Sequence, residues 1–289
     1  MAKKILIRWA VARMSFLKTI FTVVASLTFA SAASAGDMAV KATTYKISDW
    51  TGMYAGASLG AKWGSTSWAT ASVIDSGRRY NLDGSELRGY DSTSSRAGVY
   101  LGYNWQFAPR WVGGVEFDWA YSNKEKTTAG VPGCSIQCGG APGPVNDLSS
   151  VKLGWDASVR ARLGVLISPT VMAYGTGGVA WQKVESSVTC QFSGPDPFCV
   201  GQAGTPFVTT TNSTIRTGWT VGGGVDAKLI ENWILRADYR YSAFGAASIN
   251  SSLISASNVS TVNYDLKINT HIATVGIAYQ FGALPTSKQ

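Results

Sequence analysis

Several groups of residues in this 289-residue chain have types and spacings that could do chemistry. Gly56-Ala57-Ser58-Leu59-Gly60 has the Gly-x-Ser-x-Gly spacing of a nucleophile elbow, and His271, the single histidine, is the imidazole that could activate it in a lipid-cleaving enzyme. An elbow needs a sharp strand-to-helix turn to expose its serine, whereas Ser58 sits inside an alternating stretch that reads as one strand. Glu116 and Asp118 are two carboxylates on one strand face, which suits either an acid–base pair or two arginine partners; the latter is expected. Gly175-Thr176-Gly177-Gly178 could cradle a phosphate, but no helix follows and no Gly-Lys-Ser/Thr is present. Cys134, Cys138, Cys190 and Cys199 lie in Gly/Pro/Ser-rich stretches without histidine neighbours. An even count in an exported chain favours disulfides over zinc, and Cys134–Cys138 and Cys190–Cys199 are the expected local clips. No catalytic residue, metal or cofactor is expected from these motifs.

The elements that would have to position such residues alternate with period two. Arg96 to Phe107 puts Ala97, Val99, Leu101, Tyr103, Trp105 and Phe107 on one face, with Gly98, Tyr100, Gly102, Asn104 and Gln106 opposite. The same holds for Met53–Trp63, Trp111–Tyr121, Leu153–Leu163, Trp219–Leu229, Leu235–Tyr241 and His271–Phe281. Val171–Trp181 is extended and glycine-rich, with faces that the pattern leaves open. The total is eight strands, each near the roughly 9–11 residues of a tilted membrane strand. Three connections are tight turns, at Ala108-Pro109-Arg110, Ser168-Pro169-Thr170 and Ile230-Glu231-Asn232. The others span 65–93, 123–149, 184–214 and 246–268 and are rich in Ser, Thr, Gly and Asn. Short turns at one end and long loops at the other are the pattern of an outer-membrane barrel.

The apolar faces carry aromatic residues near their ends: Trp105, Trp111, Trp233, Tyr279 and Phe281 toward the short turns, Trp63, Trp119, Trp155, Trp181 and Trp219 toward the loops. Two such girdles suit a lipid-facing surface, because amphipathic rings settle at headgroup level. The polar faces hold Lys62, Arg96, Lys152, Arg160, Arg162, Arg216, Lys228, Arg236 and Arg240 against Glu116, Asp118, Asp156, Asp226 and Asp238. Charges enclosed in a narrow barrel are costly unless paired, so a lumenal ion-pair network that plugs the barrel is expected, with Glu116 and Asp118 near Arg162 and Arg160, and Asp226 near Arg236.

The formal charge of +8 does not indicate nucleic acid. Residues 1–35 hold Lys3, Lys4, Arg8, Arg13 and Lys18 and no acidic residue, and the remainder carries 20 basic against 17 acidic residues. From Met14 the chain has a positive start, an apolar stretch Thr19–Phe29 and the small-residue site Ala33-Ser34-Ala35, which reads as a secretory signal peptide. Residues 1–13 are then an upstream extension and Met14 the expected start. The expected organisation is a leader over 1–35, a periplasmic segment over 36–50, the barrel over 51–281 and a tail over 282–289.

The chain resembles the small outer-membrane β-barrel proteins of the porin-family surface antigens of alphaproteobacteria. The likeness is carried by Trp50-Thr51-Gly52-Met53-Tyr54-Ala55-Gly56, Tyr174-Gly175-Thr176-Gly177-Gly178-Val179-Ala180, Gly218 to Val225, Asn232-Trp233, Tyr239-Arg240-Tyr241 and Val275 to Phe281. The resemblance implies an eight-stranded antiparallel transmembrane up-and-down barrel with short periplasmic turns and four long extracellular loops. It also implies a role in envelope integrity or surface interaction, contact with outer-membrane lipid and lipopolysaccharide, and assembly by the barrel-assembly machinery through Tyr279 and Phe281. A narrow pore for small solutes and a surface receptor for haem or a host component are the alternative functions.

Overall fold

The computed structural model describes residues 49–75, 78–81, 87–130, 148–190, 208–230, 232–254 and 259–281. The leader, Cys134, Cys138, Cys199 and the tail lie outside the described residues. The strands are β1 (Gly52–Asp75), β2 (Arg78–Asn81), β3 (Arg88–Gly89), β4 (Ser92–Ala108), β5 (Trp111–Tyr121), β6 (Lys124–Ala129), β7 (Leu148–Ser168), β8 (Val171–Cys190), β9 (Val208–Lys228), β10 (Trp233–Ile254) and β11 (Val259–Gln280). Eight of them, β1, β4, β5 and β7 to β11, pair antiparallel with their neighbours in chain order, and the β11–β1 ladder closes the ring. Every backbone polar group of a closed ring can be paired within the wall, which is the condition for crossing hydrocarbon with strands.

The outward face of the lower part of the ring is apolar. Val99, Leu101, Val115, Leu163, Val179, Val225, Leu235, Val275 and Ile277 are all exposed. Trp105, Trp111, Trp233, Tyr279 and Phe281 are exposed toward the short turns; Trp119 and Trp219 are exposed, and Trp63, Trp155 and Trp181 half-buried, toward the other end. In β8, Met172, Tyr174, Thr176, Ala180 and Gln182 point inward, while Val171, Ala173, Gly175, Gly177, Val179 and Trp181 face outward. That settles the faces which the sequence left open.

The strands run well past the membrane band. β1 has 24 residues and β10 and β11 have 22 each, about twice what a tilted crossing needs. The expected loops are therefore largely wall: the 246–268 connection shrinks to residues 255–258 between β10 and β11, and 184–214 to the stretch between Cys190 and Val208. Above the band the hydrophobic face inverts. Trp68, Val73, Tyr90, Val151, Leu153, Val184, Val188, Phe244, Val262, Tyr264, Leu266 and Ile268 form one buried apolar cluster inside the wall. Serine, threonine and lysine occupy outward positions such as Ser65, Ser67, Ser213 and Lys267.

This upper wall is not a continuous ring. β9 and β10 share ladder pairs only as far as Trp219↔Ala243. Beyond that, Arg216 Nη2 donates to the Ala247 carbonyl (3.1 Å) and Thr210 Oγ1 to the Ser252 carbonyl (2.9 Å). On the far side β2 and β3 pair with β1, and β6 with β7; there Arg88 Nη1 reaches across to the carbonyls of Ala129 (2.6 Å) and Gly130 (3.2 Å). The barrel thus divides above the membrane into two sheets that clamp the apolar cluster between them.

Register irregularities at Thr70/Ser72 in β1, Leu153/Asp156 in β7 and Ala243/Ala246 in β10 lie near the level where this division begins. A bulge adds a residue and turns the following side chains to the other face. It corrects two expectations. Leu153 points inward with the apolar cluster rather than toward lipid, and Lys152 leaves the lumen to pair with Glu185 at 3.3 Å on the partly exposed upper wall. Arg216, also expected among the lumenal charges, belongs to the seam between the two sheets.

Candidate functional site

The interior is filled in three layers. At the short-turn end Asp49, Trp50 and Thr51, just ahead of β1, lie beneath the ring. Trp50 is fully buried: its backbone N–H donates to Gln106 Oε1 (3.1 Å) and its indole Nε1 to the Pro169 carbonyl (3.1 Å). Lys228 Nζ lies 4.7 Å from the indole ring and donates to the Asp49 carbonyl at 2.7 Å. Val112, Leu166, Met172, Ile234 and Ala278 belong to the same buried cluster.

The charged layer comes next, in two tiers. In the lower tier Glu116 receives Arg160 Nη2 and Arg236 Nη1, each at 2.5 Å, with Arg162 Nη1 at 3.6 Å. Tyr54 OH also donates to Glu116, at 2.6 Å. Asp226 takes Arg162 (2.6 Å) and Arg236 (2.8 Å), and Asp238 takes Arg160 at 3.5 Å and Tyr174 OH at 3.0 Å. In the upper tier Asp118 holds Arg96 (2.6 Å) and Arg240 (2.7 Å). Asp156 holds Arg96 (2.7 Å), Lys62 (3.0 Å) and Arg240 (3.6 Å). Lys62 Nζ also donates to Ser122 Oγ (3.2 Å) and to Gln182 Oε1.

All of these charged side chains are buried, so each ion loses its hydration and must regain it from partners. The guanidiniums gain ring faces as well: Arg162 lies 3.8 Å from the Tyr174 centroid and Arg236 4.4 Å from that of Tyr100, in the range of a cation–π contact. Lumenal glycines make the room. A Cβ on Gly102 would collide with the Tyr54 ring, and one on Gly224 with that of Tyr174.

Of the fourteen charged residues expected on the lumenal faces, the structure brings eleven into the two tiers, Lys62, Arg96, Glu116, Asp118, Asp156, Arg160, Arg162, Asp226, Arg236, Asp238 and Arg240, while Lys152, Arg216 and Lys228 bind elsewhere. The partners differ in part. Glu116 pairs with Arg160 and Arg162, and Asp226 with Arg236, but Asp118 reaches Arg96 and Arg240. Tyr54, Tyr100, Tyr174 and Gln182 complete the network and were not singled out; alternation had placed Tyr54 and Tyr100 on the polar faces, which was the available signal. Ser58 points into the barrel and His271 outward, where its Nδ1 lies 2.7 Å from Tyr239 OH. They occupy opposite faces of the wall and form no dyad.

A closed ring of eight antiparallel strands, apolar outside and ionic within, with short turns at one end and long connections at the other, defines a transmembrane β-barrel of the outer membrane. The family model described as "Outer membrane protein beta-barrel domain" matches residues 21–281, and the chain belongs to that family. It is 29% identical over 273 residues to the 31 kDa outer-membrane immunogenic protein of Brucella melitensis, covering 92% of this chain and 100% of that protein. With the 25 kDa outer-membrane immunogenic protein of Brucella abortus it shares 28% over 239 residues, 80% of this chain and 79% of the relative. Among solved structures, OprG from Pseudomonas aeruginosa aligns with a TM-score of 0.46 at 14% identity, over 80% of this chain and 97% of that one. The protein resides in the outer membrane, with its short turns on the periplasmic side, and is similar to surface antigens.

Proposed function

We propose that this protein is a non-catalytic structural component of the outer membrane that presents a surface for interaction and has a lumen closed to solutes. One observation carries this reading: the buried Trp50 floor, the two-tier ionic layer and the apolar cluster above it fill the same interior in succession. A conducting pore needs a continuous hydrated path, whereas these lumenal charges are spent on one another. The immunogenic character named for the Brucella relatives supports surface presentation. The two girdles suit contact with lipid and, at the outer leaflet, with lipopolysaccharide. Tyr279 and Phe281, exposed at the end of β11, are the residues we assign to recognition by the assembly machinery.

Single-channel recording in planar bilayers tests the closed lumen: the full-length protein is expected to give no steady current, and a large, stable conductance rejects the proposal. For the assembly role, Phe281→Asp is expected to lower the amount of heat-modifiable barrel in the outer membrane. Wild-type levels of folded mutant would remove that assignment.

A further inference from the structure

The lipid-facing wall carries a groove of about 540 Å³ on β4 and β5, lined by Tyr103, Trp105, Phe107, Gly113, Gly114 and Val115. Its floor is Gly113, on the outward face of β5 and paired in register with Trp105. A Cβ added at Gly113 would meet only Phe107, at 3.5 Å, so the space above this backbone is open to the membrane. Glycine in a strand often marks a place where another molecule approaches the backbone closely. The rings of Trp105 and Phe107 stand beside the groove with centroids 5.8 Å apart. Three residues below Gly113, about 10 Å along the strand, the exposed Arg110 occupies the periplasmic turn; among the described residues it has no ion-pair partner.

We propose that this groove is a binding site for one glycerophospholipid of the periplasmic leaflet, with an acyl chain laid over Gly113 against the Trp105 and Phe107 rings and the headgroup phosphate on Arg110. The occupant follows from the position. The groove lies within the apolar band, so a hydrocarbon chain covers it, and the cation at its lower end is complementary to a phosphodiester at headgroup level. Water release contributes little between apolar surfaces inside a bilayer, so the selectivity comes from close packing. Filling the groove should therefore abolish it.

The test uses the full-length protein in vesicles of phosphatidylethanolamine and phosphatidylglycerol doped with a phosphatidylethanolamine that carries a diazirine in its acyl chain. Photolabelling mapped by mass spectrometry is expected to concentrate on residues 103–115. Gly113→Leu should reduce that labelling about fivefold and Arg110→Gln about twofold, by loss of a modest contact energy in each case. Gly175→Leu, which alters another outward glycine outside the groove, should leave it unchanged. Heat-modifiable migration shows that each variant has folded; if Gly113→Leu fails this check, Val115→Trp narrows the same groove from its upper end and is expected to give the same loss. Labelling spread evenly around the belt, or undiminished in the folded groove variants, overturns the proposal. So does stronger labelling at 103–115 by a diazirine lipid A than by the phospholipid probe.

Discussion

The membrane band and the wall above it are built from the same strands and solve opposite problems. In the band of β11, Val275, Ile277 and Tyr279 face outward while Gly276, Ala278 and Gln280 face the lumen. A few residues earlier on the same strand Val262, Tyr264, Leu266 and Ile268 point inward and Lys267 outward. The β1–β11 ladder runs on from one region into the other, with one register shift at Thr70/Ser72 opposite Tyr264 and Asn263. What differs is the solvent outside: hydrocarbon below, water above. The two interiors answer accordingly, one with ion pairs around small glycines and the other with a stacked aliphatic and aromatic core. Strand geometry sets only the alternation of faces; the medium decides which face carries the carbon.

The contrast can be broken from either side. The largest effect is expected in the band interior. Glu116→Ala removes the carboxylate that receives three arginines, and should cost about 3–5 kcal/mol, read as a lower urea midpoint for the barrel in lipid vesicles. Trp68→Ala strikes the upper core, where the indole stacks on Tyr264 with centroids 3.9 Å apart. A buried tryptophan truncation costs about 3–5 kcal/mol, but here the loss should be local: faster hydrogen exchange and proteolysis of the upper wall, with a heat-modifiable band intact. Equal destabilisation of both regions would show that they unfold as one unit.

A matched pair of outward substitutions sharpens the solvent argument. Val275→Arg places a cation on the lipid face and should cost about 2–4 kcal/mol. Ser213→Arg makes the same change on the upper wall, beside Glu185 in register, and should stay within about 0.5 kcal/mol of wild type. Similar costs in unfolding titrations would move the membrane boundary above Ser213.

The smallest effect belongs to the partly exposed trio of Lys152, Glu185 and Lys183 (3.3 and 2.8 Å). Hydrogen bonds from Lys183, then Lys152, hold the Glu185 carboxyl below its ordinary value. A carboxyl lowered on folding adds stability above its unfolded value, near 4.5, which is lost as the pH falls through the folded one. Glu185→Gln should therefore change stability by about 0.5 kcal/mol or less at neutral pH, and by nothing once the carboxyl is protonated.

The band was legible in the sequence because lipid leaves a plain record: Val, Leu and Trp at every second position, with Gly and Arg between. The upper wall was read as loop because its outward residues, such as Thr209, Thr211 and Ser213, have loop composition. Its signal was present in reverse phase. Val184 and Val188 fall on even numbers after Val179 and Trp181 on odd ones, a switch that marks the passage from oil to water. The bulge between Leu153 and Asp156 contains Gly154, but glycine recurs throughout these strands and this one keeps an ordinary φ, so alternation runs through it and misassigns the faces of Lys152 and Leu153. The bulge in β10 contains Gly245, at a φ of +57° that favours glycine. The ionic types were legible from alternation, but their partners were not. Whether Asp118 meets Arg160 or reaches Arg96 and Arg240 depends on how far side chains extend across the lumen, a property of the closed ring and not of any one strand.

Trp50 carries a consequence for the order of events during insertion. Its niche is assembled by Gln106, Pro169 and Lys228, contributed from β4, the β7–β8 turn and β9, with Gln280 of the last strand bound to the adjoining backbone. A half-threaded sheet offers the indole no berth, since the niche draws on strands from early in the ring to the last one. Docking of this side chain can only be a terminal event, and in a variant that keeps Trp50 as its sole tryptophan the emission spectrum would act as a clock for the instant at which the cylinder is complete.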